Sequence, residues 1–451
     1  MTLEEDDSYT DDECASCPRD EEEKKDETED LSSRGPDLPL PRDTPLPVDR
    51  DWIRKLLHKH HSHQQEHRST THAYVLAPMV DQSDLPFRLL CRSYGTNLCF
   101  TPMIHARLFT TNVEYRRKFT LQYGPPQDRP LIAQICGGDV QAVVACALAM
   151  QPYCDGIDIN CGCPQNIAKR GNYGAFLLEQ EDVLLPLVHT LLQHLSVPLS
   201  VKVRLLPAET RQASLEASLR LYTKLVDAGV HLLTIHGRTR HHKGPLTGAA
   251  DWDAIRVVVD RLGQRIPIFA NGGVASLRDA QACLATTHAD GVMSSEALLE
   301  YPALFADQAR VGRLALARQY LTLARTFPPE LGGQGSAVKC PRTHLHRILH
   351  ADLQADAVLR QSLVDVDTMD GLDDAVGRVR DRHCECDHDV DTEELSWYRR
   401  HRELVRLPNG VTVNAAQARQ NQEGAVLKHE LVDDAADCFA TLFADDDDDY
   451  Y

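Results

Sequence analysis

The sequence lacks several features that would settle its class at once. No stretch approaches the 18 or more consecutive apolar residues of a membrane-spanning helix, so no part of the chain is expected to enter a membrane. The first residues carry neither a basic region nor an apolar segment: Met1 is followed by Glu4, Glu5, Asp6 and Asp7, the reverse of a secretory signal. They also lack the Arg-rich, acid-poor character of a mitochondrial leader. A cytoplasmic location is expected, with the nucleus also open. No Cys-x-x-Cys redox pair lies in residues 73–309. The 14 cysteines are scattered, and Cys91, Cys99, Cys146 and Cys283 sit in apolar runs. They read as small buried hydrophobes in a reducing compartment, not as disulfides.

An excess of basic charge is lacking too. The formal net charge is −19, which taken whole argues against a nucleic-acid partner. Its distribution changes that reading. Residues 1–70 hold 20 acids and 10 bases, and residues 430–451 hold 9 acids and no base. The remaining residues, 71–429, carry 38 of each sign. A neutral body can present a local basic face, and phosphate binding depends on that face.

The 451 residues divide into four stretches. Residues 1–72 are an acidic extension expected to be disordered. Residues 1–50 are Pro-rich (Leu38-Pro-Leu-Pro-Arg, Thr44-Pro-Leu-Pro) and cannot bury enough apolar surface to offset ordering entropy. The five histidines between His58 and His67 read as a solvated linker or short polar helix, ahead of a metal tag. Residues 73–309 alternate short apolar runs with helical patterns. The candidate strands are Tyr74–Ala77, Leu98–Thr101, Leu131–Ile135, Gly156–Ile159, Leu199–Val203, Leu232–Ile235, Ile266–Ala270 and Asp290–Met293. Helical patterns such as Val140–Met150, Ser214–Ala228, Trp252–Leu262 and Leu277–Ala285 lie between them. Eight such strands predict an α/β fold of the (β/α)8 TIM-barrel type in preference to an open doubly wound sheet. In residues 310–405 the alternation gives way to helical patterns at Leu314–Ala324, Val338–Leu353 and Ala357–Val364, which predict a smaller all-helical domain. Residues 406–451 are polar and acidic and are expected to form a disordered tail.

A barrel of this type carries its active site at the C-terminal ends of the strands. Polar or backbone-exposing groups fall there: Ala77-Pro-Met-Val, Gln134-Ile-Cys-Gly-Gly, Asp158-Ile-Asn-Cys-Gly-Cys-Pro, Lys202 and Arg204, His236-Gly-Arg-Thr, Asn271-Gly-Gly-Val and Met293-Ser-Ser-Glu. The glycines after strands seven and eight suit phosphate binding, because backbone N–H groups can approach an anion closely there; ordinary tight turns are the alternative. Lys202, inside an apolar strand, needs an anionic or carbonyl partner. His236 adds a second phosphate donor, and Gln134 can offer both amide faces to a ring. Each alone reads equally well as a satisfied polar group of a barrel core, but the set fits flavin mononucleotide (FMN). Cys161 and Cys163 have Cys-x-Cys spacing, but no matching Cys or His pair lies near this loop. Cys163, between Gly162 and Pro164 at a strand end, is instead a candidate general acid.

Taken together, Asp158-Ile-Asn-Cys-Gly-Cys-Pro and Arg170-Gly-Asn-Tyr-Gly-Ala-Phe-Leu-Leu resemble the signature of the tRNA-dihydrouridine synthase family. Ala77-Pro-Met-Val, Gln134-Ile-Cys-Gly, Val201-Lys-Val-Arg, Thr234-Ile-His-Gly-Arg-Thr, Asn271-Gly-Gly-Val and Asp290-Gly-Val-Met-Ser match in order and approximate spacing. The resemblance is strong over residues 73–310 and fainter to about 400. Gly291-Val-Met-Ser-Ser-Glu with Pro302-Ala-Leu-Phe is most similar to the eukaryotic subfamily that modifies tRNA positions 16 and 17. The family often has Ala-Glu where this chain has Ser295-Glu296.

The resemblance implies reduction of the C5–C6 bond of D-loop uridines. Hydride passes from reduced FMN to C6, Cys163 protonates C5, and NADPH is the reductant. It implies that Pro78, Met79, Val80, Gln134, Lys202, His236, Asn271, Gly272, Gly273, Ser295 and Glu296 hold the flavin. Asn160 and Arg204 would orient the uracil, with Arg238 a further candidate. The helical domain would then grip tRNA through Lys339, Arg342, His344, His346, Arg347 and His350, although a plain solvated basic face explains the same residues. His383, Cys384, Cys386 and His388 could ligate zinc, but their spacing is crowded by acids and no metal is assigned. No obligate protein partner is expected. Two other readings remain open: an FMN barrel oxidoreductase acting on a free pyrimidine, and a non-catalytic RNA-binding protein that keeps the fold.

Overall fold

The structure is a computed structural model, and it describes residues 52–53, 55, 72–121, 126–243, 247–307, 310–328, 336–379, 398, 404–406 and 412–414. The His58–His67 run and the His383–His388 cluster lie outside the described residues, as does most of both tails.

Eight parallel strands form the sheet: β1 (Ala73–Leu76), β2 (Leu98–Phe100), β3 (Leu131–Cys136), β4 (Gly156–Cys161), β5 (Leu199–Arg204), β6 (Leu232–His236), β7 (Ile268–Asn271) and β8 (Gly291–Ser294). β1 pairs with β2 on one side and β8 on the other, and β2 pairs with β3, so the sheet closes. The expected (β/α)8 barrel is therefore present, each predicted strand within one or two residues of its place. A two-residue strand, Ile104–His105, extends β3 beyond the end of β2.

The strands read as apolar runs because both of their faces are buried. Leu131, Ala133 and Ile135 of β3, and Ile157, Ile159 and Cys161 of β4, pack outward into the large core shared with the helices. Their neighbours point inward. Val75, Leu98, Phe100, Ile132, Leu232, Phe269 and Met293 fill part of the interior as a separate apolar cluster. Gln134, Asp158, Asn160, Ser200, Lys202, Arg204, Thr234 and His236 alternate with the outward residues on β3 to β6. The polar interior residues thus lie on β3 to β6, above Ile132 and Leu232 of the apolar cluster on the same strands.

Several of the intervening helices are capped by side chains. Asp139 Oδ1 accepts from the N–H groups of Gln141 and Ala142, Thr210 caps the helix Arg211–Ala228, and Asp251 caps Trp252–Leu262.

Three differences from the sequence reading stand out. Within residues 1–72, expected to be disordered, Ile53 is fully buried in the interior cluster and Trp52 packs beside it. The Trp52 ring lies 3.4 Å from the point where a Cβ on Gly156 would sit, at the N-terminal start of β4. Two large apolar side chains thus close the lower end of the barrel, where burial outweighs the acidity of the surrounding chain. The expected single helix Val338–Leu353 is two, Ser336–Ile348 and His350–Ala355, and a further helix, Met369–Gly377, follows. The expected tail from residue 406 begins inside a strand: Leu404–Arg406 pairs antiparallel with Thr412–Asn414. Asn409-Gly410 between them is a hairpin signal that the sequence reading passed over.

Candidate active site

A cavity of 610 Å³ opens at the C-terminal ends of the strands. Its walls include Pro78, Met79, Val80, Gln134, Asn160, Cys163, Lys202, Arg204, His236, Arg238, Asn271, Gly272, Ser295 and Glu296. Of the residues expected to hold the flavin or orient the uracil, Gly273 alone is not part of the wall; it continues the same turn one residue further.

Cys163 is the one cysteine among the described residues that is not fully buried. Its loop is fixed from several sides. Asn160 Oδ1 accepts from the N–H groups of Gly162 (3.1 Å) and Cys163 (2.9 Å). Arg204 Nε donates to Gly162 O at 2.6 Å, and the Cys163 carbonyl accepts from Ala175 N–H at 2.9 Å. Gly174, at φ +65°, passes so close that a Cβ there would sit 2.5 Å from Cys163 O, which explains a glycine in that motif. Burial pushes the Cys163 thiol up, outweighing the pull of the Gln165 N–H, Arg204, Lys202 and Lys243. The group is therefore a protonated thiol at neutral pH, an acid and not a ready nucleophile.

The cavity carries an excess of buried positive charge. Burial, then Arg204, lowers Lys202 to about 8. Burial, then Arg238, lowers Arg204 to about 10. His236 is pushed well below its usual range by burial and by Arg204, Arg238 and Lys202. Such mutual depression of cations is relieved by an anion. Lys202 Nζ is held 3.0 Å from Asn271 Oδ1, and Asn271 Nδ2 donates to Met293 O at 3.0 Å, so β5, β7 and β8 are joined across the floor.

Arg238 lines the cavity and is also tied to the protein around it. Its Nε and Nη2 donate to Gly248 O at 3.0 and 2.7 Å, and its Nη1 lies 3.0 Å from His236 Nε2. An arginine can only donate, so His236 Nε2 accepts and the imidazole's remaining nitrogen is its donor. Arg238 thus shapes the rim while touching the cavity. The wall also includes residues to which the sequence assigns no place at the site: Met103, Arg170, Lys243, Arg347 and Tyr398. Arg347, a member of the basic helix, reaches the barrel mouth.

The wall fits a flavin. Gly272 and Gly273 adopt φ of +104° and +79°, and a Cβ on Gly272 would sit 2.8 Å from His236 Cδ2. Backbone therefore lines the cavity where a side chain would fill it, which suits close approach to a phosphate. Lys202, Gln134 and Asn271 supply donors and acceptors for a heterocyclic ring, and Met79 and Val80 supply apolar wall.

The fold and this wall define the class: a parallel (β/α)8 barrel with a cationic cofactor-sized cavity and a protonated thiol at its mouth. The chain belongs to the dihydrouridine synthase (Dus) family, whose sequence profile matches residues 75–380. It is 42% identical over 303 residues to a Mus musculus protein named tRNA-dihydrouridine(16/17) synthase [NAD(P)(+)]-like, a match covering 66% of this chain and 60% of that one. To the Schizosaccharomyces pombe tRNA-dihydrouridine(16/17) synthase [NAD(P)(+)] it is 35% identical over 330 residues, covering 71% of this chain and 80% of that one. The chain spans 60% and 65% of the mouse and rat relatives' lengths. Among the described residues, no helix is long and apolar enough to cross a membrane.

Proposed function

We propose that this protein reduces uridines of the tRNA D-loop to dihydrouridine, at positions 16 and 17, with FMN as cofactor and NADPH as electron donor. The observation that carries the reading is the convergence, in one cavity, of a protonated thiol, a cationic floor and a glycine turn that leaves backbone exposed. Pro78, Met79, Val80, Gln134, Lys202, His236, Asn271, Gly272, Gly273, Ser295 and Glu296 hold the flavin. Burial lowers Arg238, and Tyr398 and then Glu296 oppose that lowering.

When bound, the flavin supplies a hydride to uracil C6, renewed from NADPH. Cys163 Sγ carries the proton that goes to C5. Asn160 holds the thiol's peptide and, with Arg204, orients the base. Arg170, Lys243 and Arg347 place positive charge around the mouth, where it suits a phosphate backbone. The target base must leave its stack to enter, which is easier in a loop. We place the reaction in the cytoplasm or the nucleus.

The test uses the full chain, FMN, NADPH and unmodified tRNA, with dihydrouridine mapped by position. Dihydrouridine at 16 and 17 is expected, with no reduction of uracil, uridine or orotate. Reduction of a free pyrimidine at comparable rate would favour the free-pyrimidine enzyme, and a colourless protein that binds tRNA would favour the non-catalytic reading.

A further inference from the structure

We propose that Asp158 is a positioning residue that orients the cofactor-facing amide of Gln134 and, through it, Asn160 and the peptide of Cys163. The proposal rests on the flavin and thiol roles given above. Asp158 is fully buried on β4, in register with Gln134 on β3 and Ser200 on β5. Its Oδ2 accepts from Gln134 Nε2 at 2.8 Å. Gln134 Oε1 accepts from Asn160 Nδ2 at 2.9 Å. Asn160 Oδ1 accepts from the N–H groups of Gly162 and Cys163.

The direction of this chain is fixed from both ends. Two peptide N–H groups can only donate, so Asn160 must turn its oxygen toward them. Its amide nitrogen then faces Gln134, which must answer with oxygen. The nitrogen of Gln134 is left facing Asp158, whose carboxylate can only accept. Flipping either amide would set donor against donor or acceptor against acceptor, a costly arrangement in a buried site. Burial pushes Asp158 up to about 6, against the pull of Gln134, Ser200 and Lys202, so it remains mainly ionised at neutral pH. Gln134 therefore meets a cavity occupant with its donor and acceptor in set places, and the thiol loop stands on the same chain.

The test compares Asp158→Leu, which removes the acceptor but keeps a branched side chain, with Asp158→Asn, which restores an acceptor oxygen at similar volume. Three quantities are read for variants that melt cooperatively: FMN dissociation constant, single-turnover dihydrouridine formation at saturating FMN, and the iodoacetamide alkylation rate of the Cys163 peptide. Asp158→Leu should weaken FMN about tenfold, slow turnover by a similar factor and speed alkylation at least threefold. Asp158→Asn should bring all three back to within about threefold of wild type. Wild-type values in Asp158→Leu, or equal damage in both variants, overturn the proposal. Should Asp158→Leu not fold, Asn160→Asp tests the other end: it keeps the acceptor for the two peptides but can no longer donate to Gln134. FMN affinity must then fall, and unchanged affinity refutes the chain. If wild type takes up no flavin, the proposed function fails, while the alkylation arm still decides the role of Asp158.

Discussion

His344 Nε2 lies 2.9 Å from Asp84 Oδ1 across 260 residues of chain, and both side chains are fully buried. The second Asp84 oxygen accepts from Tyr320 Oη at 3.1 Å, and Cys340 Sγ donates to Asp81 O at 3.2 Å. Three groups of the helical region thus grip the segment that follows the cavity-lining residues Pro78, Met79 and Val80. The His344 ring stacks on Phe87 with centroids 4.4 Å apart. His344→Phe should keep that stacking and lose the hydrogen bond, leaving a buried carboxylate oxygen without its partner. Stability should fall by about 1–3 kcal/mol, read by chemical denaturation, and flavin affinity should drop with it. An unchanged denaturation midpoint would show that the contact contributes nothing.

Gly272→Ala tests the cradle. The backbone there sits at φ +104°, and the new Cβ would meet His236 Cδ2 at 2.8 Å. The conformation alone costs about 1–3 kcal/mol, and the collision must move either His236 or the turn. We expect FMN affinity to fall at least about tenfold in a fluorescence titration. The melting temperature without flavin should drop by only a few degrees.

Much of this was legible in the sequence, for a physical reason. Barrel strands are buried on both faces, so they appear as bounded apolar runs, and the polar residues interrupting them (Gln134, Asn160, Lys202, His236) line the cavity at the mouth. Contacts distant in sequence were harder to read. His344 was grouped with Lys339, Arg342, His346, Arg347 and His350 as one basic face, yet it is fully buried against Asp84. The sign was there: His344 lies four residues after Cys340 and shares the apolar stripe of Val338, Leu345 and Ile348. Arg342 is also committed, donating to Val364 O at 3.0 Å and to Val366 O. Nothing in the local sequence showed that Trp52 and Ile53 plug the barrel, because an apolar pair in an acidic stretch has no periodicity to announce it. Nor did spacing reveal that Arg238 would be tied to Gly248.

Lys202 should make stability depend on pH in an unusual direction. Its folded value of about 8 lies below its usual 10.5. Below pH 8 it is charged in both states, and the folded state bears the full cost of burying that charge. Between pH 8 and 10.5 the unfolded chain holds a proton that the folded chain has released, so this group's contribution to stability rises with pH. Lys202→Met should therefore stabilise the flavin-free protein at pH 7, by an amount on the order of 3 kcal/mol before the lost bond to Asn271 is subtracted. The advantage should shrink as the pH is raised through 8 toward 10. The same variant should bind FMN more weakly. A stability gap that does not change with pH would contradict this account of the cavity's charge.

Cys163 makes the sharpest demand on the proposed chemistry. A general acid works only while protonated, and burial holds this thiol above its ordinary 9. Dihydrouridine formation, measured in single turnover from pre-reduced enzyme so that NADPH oxidation is bypassed, should hold its rate through pH 9. It should fall only at higher pH, as the proton is lost. A nucleophilic role predicts the opposite slope, with rate rising as thiolate forms. Cys163→Ala should keep the yellow flavin and its reduction by NADPH, because the side chain lies on the loop after β4 and not on the glycine turn. It should lose product formation by about 100-fold or more, the usual worth of a positioned acid. Product formed at the wild-type rate by Cys163→Ala would falsify the assignment, and a rate climbing from pH 7 to 9 in the wild type would turn the thiol from acid into nucleophile.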